Sequence, residues 1–261
     1  MLMTRRASLL KVGFAGFLMS SMMLAGIQTP VSAQESTPAT GHAMGNCVEA
    51  LGIGTEGDAC VNIIHASPDA PGVDVYVNGD LALENLEFGN ASGWVALPAG
   101  EHQVQVTATG GAPEDAVIDA EVKLEAGAAY EVTAVGLLAD IAPVIYQTDL
   151  SALGDDEARI KVVHASPDVA GVDIAVTGGD VLIENLEFPA ASEALVVPAG
   201  TYDLEVRPSG SMDVALPLPG VVLEAGTVYT VYAIGQAGDG TLTVLVVTST
   251  TVAPEMATPS A

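Results

Sequence analysis

Basic residues are scarce in this sequence. The 261 residues include 7 Lys and Arg against 33 Asp and Glu, which gives a formal net charge of −26 at pH 7. This surplus of negative charge repels nucleic-acid phosphates and anionic lipid headgroups, so neither is expected as a partner. It favours solubility and is compatible with cation binding. Hydrophobic residues make up 49% of the chain, far too many for a disordered protein, and indicate a sizeable core.

Aromatic residues are also few, at 4% of the chain. A carbohydrate-binding module normally presents several flat rings, so this composition argues against that function. Trp94 is the single tryptophan. It could stack on a sugar or anchor a protein partner, and the alternative is partial burial between domains.

Only two cysteines occur, Cys47 and Cys60. They lie close together, and in an exported protein such a pair is expected to form a disulfide. The bond would close a small Gly-rich loop and contribute about 3 kcal/mol, mostly by restricting the unfolded chain. A metal site would need more soft ligands than the nearby His42 supplies.

The first 33 residues have the pattern of a cleaved export signal. A short positive stretch ending at Lys11 precedes an apolar run, Val12 to Ile27, and Val31-Ser32-Ala33 offers small residues to signal peptidase. The run is short for a membrane anchor. We therefore expect a secreted or cell-surface protein without membrane insertion after cleavage, exported by the Sec route or, as an Arg pair suggests, the twin-arginine route. The mature chain keeps four basic and 33 acidic residues, a formal charge of −29.

The rest of the chain is an internal repeat. The stretch VNIIHASPD, Val61 to Asp69, recurs as IKVVHASPD, Ile160 to Asp168. The stretch ENLEF at 84–88 recurs at 184–188. A period of this length is the size of a domain.

The repeat sets the expected domain organisation. The short linker favours a fixed arrangement of the two repeats, end to end or side by side. The predicted parts are a signal peptide at 1–33, a flexible segment with Cys47 at 34–57, a first repeat at 58–149, a linker at 150–157, a second repeat at 158–250 and a flexible tail at 251–261.

Each copy has the alternating apolar pattern of short strands, separated by Gly, Pro, Asn and Asp. Seven or eight antiparallel strands in about ninety residues predict an immunoglobulin-like Greek-key β-sandwich, so the fold class is all-β with two such domains in tandem. The motif Leu-x-Ala-Gly-x-x-Tyr, ending at Tyr130 and again at Tyr229, is typical of the tyrosine corner of these folds. In the first copy the strands are expected near 60–65, 73–77, 81–86, 92–97, 101–108, 117–124, 128–137 and 142–148.

The string His-Ala-Ser-Pro-Asp-x-x-Gly-Val-Asp, with the Asn-Leu-x-Phe segment and Pro-Ala-Gly turn that follow it, resembles a bacterial and archaeal family known as domain of unknown function 4397. The resemblance covers both copies. It implies secreted or cell-surface proteins, β-sandwich domains often in tandem, and no established activity. It therefore carries no catalytic residue over to this sequence.

The same string contains the candidate site residues. A His with one or two Asp on a turn could hold a divalent cation such as Ca²⁺, and no other cofactor is expected. The candidate metal ligands are His65, Asp69 and Asp74 in the first copy and His164, Asp168 and Asp173 in the second.

A structural role for these residues is the alternative that strand parity favours. Val61, Ile63 and His65 share one face of a strand, and the opposite face in the second copy bears Arg159 and Lys161. We expect the face with the two cations to be in water and the His to point inward, where its ring can bond the following turn. Such buried polar groups are usually satisfied by hydrogen bonds.

A Ser-His-Asp triad is not expected, because Ser67 precedes a Pro in an extended turn without a Gly-rich elbow. The sequence therefore predicts a non-enzymatic extracellular or cell-surface module for binding, adhesion or scaffolding, with an extracellular protein or envelope component as partner. The alternative is a secreted protein that binds divalent cations or small ligands through acidic loops. Fold alone does not decide between them.

Overall fold

The structure is a computed structural model that describes residues 44–252, and this part of the chain is almost entirely β. The predicted signal peptide, residues 34–43 and the tail from residue 253 lie outside the described residues. A short helix, α1, spans Cys47–Leu51. None of the helices in residues 44–252 has the length and apolar character to cross a membrane.

Each repeat contains eight strands, and those of the first repeat differ from the predicted ones only by small shifts at their ends. The first repeat comprises β1 (Asp58–His65), β2 (Val73–Val77), β3 (Asp80–Leu86), β4 (Val95–Pro98), β5 (Gly100–Ala108), β6 (Ile118–Leu124), β7 (Ala129–Val135) and β8 (Ala142–Thr148). The second comprises β9 (Glu157–His164), β10 (Gly171–Val176), β11 (Val181–Glu187), β12 (Leu195–Pro198), β13 (Gly200–Pro208), β14 (Leu216–Leu223), β15 (Thr227–Ile234) and β16 (Thr243–Thr250).

Each repeat is a sandwich of two four-stranded sheets. The strand orders are β4-β1-β7-β8 and β3-β2-β5-β6 in the first repeat, and β12-β9-β15-β16 and β11-β10-β13-β14 in the second. The chain changes sheet after β1, β3, β4 and β6, which is the Greek-key arrangement that the sequence predicted. One detail differs: β1 pairs with β7, and β9 with β15, in parallel rather than antiparallel orientation.

Local sequence features explain two of the connections. Asn78 and Gly79, with φ of 54° and 86°, join β2 to β3 in a tight hairpin, because both central positions of such a turn require a positive φ. The predicted tyrosine corners are present: the Glu125 N–H donates to Tyr130 Oη (3.2 Å), and the Glu224 N–H donates to Tyr229 Oη (2.8 Å). Each bond ties the start of an inner strand to the crossover that precedes it.

The two sandwiches pack against each other through the sheets that contain β1 and β9. Equivalent residues of the two repeats meet in one buried cluster, so the repeats are related by an approximate two-fold axis. The cluster joins Ile64, Ala66 and Val135 of the first repeat to Val163, Ala165 and Ile234 of the second. The repeats are thus side by side, and the alanines of their two His-Ala-Ser-Pro-Asp strings lie in the same cluster.

This packing corrects one expectation from the sequence. Arg159 and Lys161 were predicted to face water, but each is only 6% exposed. Strand parity correctly placed them opposite the inward His, yet the face they occupy is covered by the first repeat. The Arg159 guanidinium donates to the carbonyls of Asp149 and Ser151 (2.9 Å each), which holds the segment between the repeats in place.

Candidate functional site

The two signature histidines are fully buried and bonded to the turn that follows them. His65 Nε2 lies 3.0 Å from the Pro71 carbonyl oxygen, and since a carbonyl can only accept, the ring donates from Nε2. His65 Nδ1 accepts from the Ser67 N–H (3.4 Å). His164 repeats this pattern with Val169 (2.8 Å) and Ser166 (3.4 Å). Both ring nitrogens are therefore occupied by backbone groups.

Burial lowers the pKa of His65 and of His164, and the hydrogen bond from each ring to a backbone carbonyl opposes this effect only in part. Each ring also lies edge-on to a phenylalanine, Phe88 or Phe188, at 6.2 and 6.1 Å between ring centroids. The rings are thus neutral at pH 7 and sit in apolar surroundings, which suits a structural cap of the sandwich.

The aspartates of the string hold a neighbouring loop. Asp69 Oδ1 accepts from the Leu138 N–H (2.7 Å), between β7 and β8. Asp168 accepts from the N–H groups of Ala237 (3.0 Å) and Gly238 (2.7 Å), between β15 and β16. Burial would raise the pKa of Asp168, but these donors, together with the Ser166 hydroxyl, outweigh it and lower the pKa.

Asp74 and Asp173 lie on the outer sheets and also bind backbone. Asp74 accepts from the N–H groups of Asn85 (2.8 Å) and Gly110 (2.7 Å), and Asp173 accepts from the equivalent Asn185 (2.7 Å) and Gly210 (2.9 Å). Burial acts to raise the pKa of Asp173, and its hydrogen bonds prevail and lower it. The two Asn residues have φ of 52° and 49°, so the carboxylates stabilise a backbone bend that few residues adopt.

The three predicted metal ligands of each repeat therefore do not form a cluster. In each repeat the His, the first Asp and the second Asp serve three different backbone segments. Within residues 44–252, no three His, Cys, Asp or Glu side chains converge as a cation site would require. Cation binding at these positions stays a prediction.

Ser67, the serine of the rejected triad, is not paired with the histidine. Ser67 Oγ is buried without a hydrogen-bond partner among the described residues, and its hydroxyl makes no bond to His65.

The disulfide between Cys47 and Cys60 is confirmed, with a Cα–Cα distance of 6.0 Å. It joins α1 to β1, so part of the segment predicted as flexible is a capped helix: Asn46 Oδ1 accepts from the Val48 N–H (3.0 Å). Both cysteines are buried among residues of the two repeats, including Ala129 and Val228. The disulfide thus anchors the N-terminal segment at the end of the interface.

Trp94 adopts the second of its two predicted placements, partial burial between the repeats. Its Nε1–H donates to Ser249 Oγ (3.0 Å), and its ring packs beside the disulfide cluster. Trp94 is thus half-buried rather than freely presented.

A buried polar network at the interface was missed by sequence reasoning. Lys161 Nζ donates to Glu131 Oε2, Thr148 Oγ1 and the Gln147 carbonyl, each at 2.9 Å. Glu131 is fully buried. One signal in the sequence could have indicated it. The strand AYEVTAV contains a single Glu among apolar residues and one Thr, whereas an exposed strand face would be expected to carry more than one charge.

Most basic side chains of the described residues are buried, so the exposed charged side chains there are nearly all acidic. Of the four basic residues in residues 44–252, Arg159, Lys161 and Arg207 are buried and Lys123 is exposed. Arg207 is paired with Glu205 beneath the outer surface of the second repeat. The surface is therefore even more acidic than the composition indicates.

Several solved structures are distantly similar to this chain. The Bacillus anthracis TIE protein is 14% identical, with 69% of this chain and 34% of that chain covered and a TM-score of 0.23. A streptococcal virulence factor that binds alpha-glucan is 11% identical, with 60% and 83% covered and a TM-score of 0.21. A family 26 carbohydrate-binding module of Amy13K from Eubacterium rectale, in complex with maltoheptaose, is 11% identical, with 72% and 95% covered and a TM-score of 0.23.

This chain spans about a third of the Bacillus anthracis protein, and likenesses at these TM-scores carry no argument about function. No curated protein shows a significant sequence match. A family model, in contrast, matches twice, over residues 59–175 and 158–258. The two matches begin at the first strand of each sandwich and include both copies of the His-Ala-Ser-Pro-Asp string. The chain therefore belongs to the family described as Domain of unknown function (DUF4397), of which it carries two copies.

Proposed function

We propose that the protein is a non-enzymatic extracellular or cell-surface module, in which two paired sandwiches form a scaffold for binding another surface molecule. The observation that carries this proposal is the use of the signature side chains. His65, Asp69 and Asp74 each bond to backbone groups of their own repeat. Groups held in this way stabilise turns, and they are not poised as nucleophile, base or oxyanion donor.

Two further features support an extracellular scaffold. The buried disulfide is typical of a protein that folds outside the reducing cytoplasm. The exterior of the described residues has Lys123 as its exposed basic side chain against many carboxylates. A partner that docks there is expected to carry positive charge, because juxtaposed like charges oppose association.

Binding to the envelope of the producing cells tests this function. Labelled mature chain is titrated onto intact cells, with unlabelled chain as competitor. We expect saturable binding that weakens at about 1 M NaCl, where the screening length falls to about 3 Å. Unsaturable uptake, or turnover of esterase, peptidase or glycosidase substrates that is lost in Ser67→Ala/Ser166→Ala, would contradict the proposal.

Thermal unfolding tests the alternative, a binder of divalent cations. Melting curves are recorded with CaCl₂, with ZnCl₂ and with EDTA, each against NaCl of the same ionic strength. A specific cation site would raise the melting temperature above the NaCl control. Equal curves at matched ionic strength are the result expected for the scaffold, whose carboxylates respond only to screening.

A further inference from the structure

The edge strands of the four sheets differ in how well they are protected against pairing with another chain. Seven of the eight edge strands in residues 44–252 carry a feature that discourages pairing with another chain, such as short length, proline or charge. β4 and β12 have four residues each and end in proline, and β14 carries Pro217 and Pro219. β8 carries Pro143, and β3, β6 and β11 carry acidic residues.

The eighth edge strand, β16, has none of these features. Its sequence is TVLVVTST, with eight residues and no charge or proline. The uncharged stretch continues from residue 240 to residue 252, in a chain with 33 acidic residues. Among the described residues, β16 forms a strand ladder only with β15. Val246 is 48% exposed, and Thr243 and Thr248 are also exposed.

We propose that β16 pairs antiparallel with β16 of a second copy of this chain. The pairing extends the sheet β12-β9-β15-β16 across a two-fold axis into one eight-stranded sheet. An axis through Val246 sets Leu245 opposite Val247 of the other copy, and Val244 opposite Thr248. Such pairs of β-branched and aliphatic side chains stabilise neighbouring strands, and the contact is isologous, as in most dimers.

The charge distribution favours a second copy over a cationic peptide as occupant. A cationic strand would find no carboxylate on β16, whereas an uncharged strand meets its own copy without placing like charges in register. α1 contacts only the far end of β16, where Thr250 Oγ1 donates to the Ala50 carbonyl (2.6 Å). The remaining obstacle is the repulsion between two strongly acidic molecules, each with a formal charge of −29 once residues 1–33 are removed (4 − 33), and salt screens this repulsion.

The size of the contact sets the expected affinity. Pairing of two edge strands buries less than the roughly 1,600 Å² of a standard stable interface. We therefore expect a dimer that dissociates on dilution and is strengthened by salt, with about half of the chains paired near 10 μM in about 1 M NaCl. This association is independent of the partner in the proposed function.

Sedimentation equilibrium of the mature chain tests the proposal, at up to about 100 μM protein and at about 0.15 and 1 M NaCl. Val246→Glu, which would set two carboxylates face to face, is expected to weaken dimerisation at least tenfold. Ile145→Glu is the matched control, because Ile145 is 43% exposed on the proline-bearing edge strand β8 and is expected to leave dimerisation unchanged. Thr248→Glu is a second variant on β16, and melting curves confirm that each variant folds.

A discrete dimer that is lost in both β16 variants and kept in the β8 variant supports the proposal. A monomer throughout the concentration range in about 1 M NaCl overturns it. Equal loss in the β8 control, or open-ended aggregates in place of a dimer, overturns it as well. None of these outcomes depends on whether the protein binds the cell envelope, so the two proposals fail separately.

Discussion

At the residue scale, the buried histidines link the two ends of one turn. His65 and His164 donate from Nε2 to a carbonyl five or six residues later in the chain. A neutral imidazole can both donate and accept, so one side chain satisfies two backbone groups where the chain leaves the sheet. Protonation would convert the accepting Nδ1 into a donor that faces the N–H of the following Ser.

This arrangement predicts a pH dependence of stability. The pKa of each histidine is lowered from 6.5 in the folded state, so the unfolded chain takes up protons first as the pH falls. The stabilisation is complete above pH 6.5 and decreases below it, down to the lower folded pKa. We expect wild type to lose more stability between about pH 7 and 5 than His65→Gln/His164→Gln.

The measurement is denaturant unfolding at matched pH in about 1 M NaCl, which screens the carboxylates common to both proteins. The difference between wild type and the variant isolates the histidines. A difference that is constant over this pH range would show that the rings titrate normally in the folded state.

The buried Lys161–Glu131 pair predicts a large effect from one substitution. Lys161→Met leaves the Glu131 carboxylate buried without its cation, and we expect a loss of about 3–5 kcal/mol in the free energy of unfolding. Adding Glu131→Gln in the same chain removes the stranded charge and is expected to restore part of the loss.

Lys123→Met is the matched control, because Lys123 lies on β6 of the first repeat and, unlike Lys161, its side chain is exposed. We expect a change within about 0.5 kcal/mol there. Urea unfolding followed by circular dichroism gives all three values. A Lys161→Met variant as stable as wild type would mean that the pair is not buried in solution.

At the element scale, most strands could be predicted because alternation and turn residues are local signals. The hairpin at Asn78-Gly79 and the corners at Tyr130 and Tyr229 are examples. The parallel pairing of β1 with β7 could not be predicted, because strand direction depends on a crossover through the whole sandwich. Alternation along a strand likewise shows which residues share a face, but it does not show whether that face is covered by another part of the molecule. For this reason the sequence wrongly predicted that Arg159 and Lys161 face water.

The helix α1 is held mainly by covalent and capping contacts, since five residues are too few for a stable helix. Cys47→Ser/Cys60→Ser is therefore expected to cost about 3 kcal/mol, with loss of order in the segment before β1. Thermal unfolding and proteolysis between residues 44 and 57 give the two readouts. Wild type treated with a reductant serves as control, and an unchanged melting temperature in both would contradict the anchoring role.

At the scale of the whole molecule, the repeats behave as a dimer within one chain. The strings that identify the family contain Ala66 and Ala165, which are fully buried where the sandwiches meet. Comparing the two halves of the sequence located this string and predicted the fold of each copy. It could not reveal the interface, because contacts between the repeats depend on complementary surfaces, such as Lys161 against Glu131, and not on a local pattern.

The signature strings lie where the two sandwiches meet, so the two repeats should unfold as one unit. Scanning calorimetry of a dilute chain that begins at residue 34 tests this unity, since a single cooperative unit has equal calorimetric and van't Hoff enthalpies. We predict one transition with a ratio of about one between the two enthalpies. Two separable transitions, or a ratio near two, would instead show that the two sandwiches unfold independently of each other.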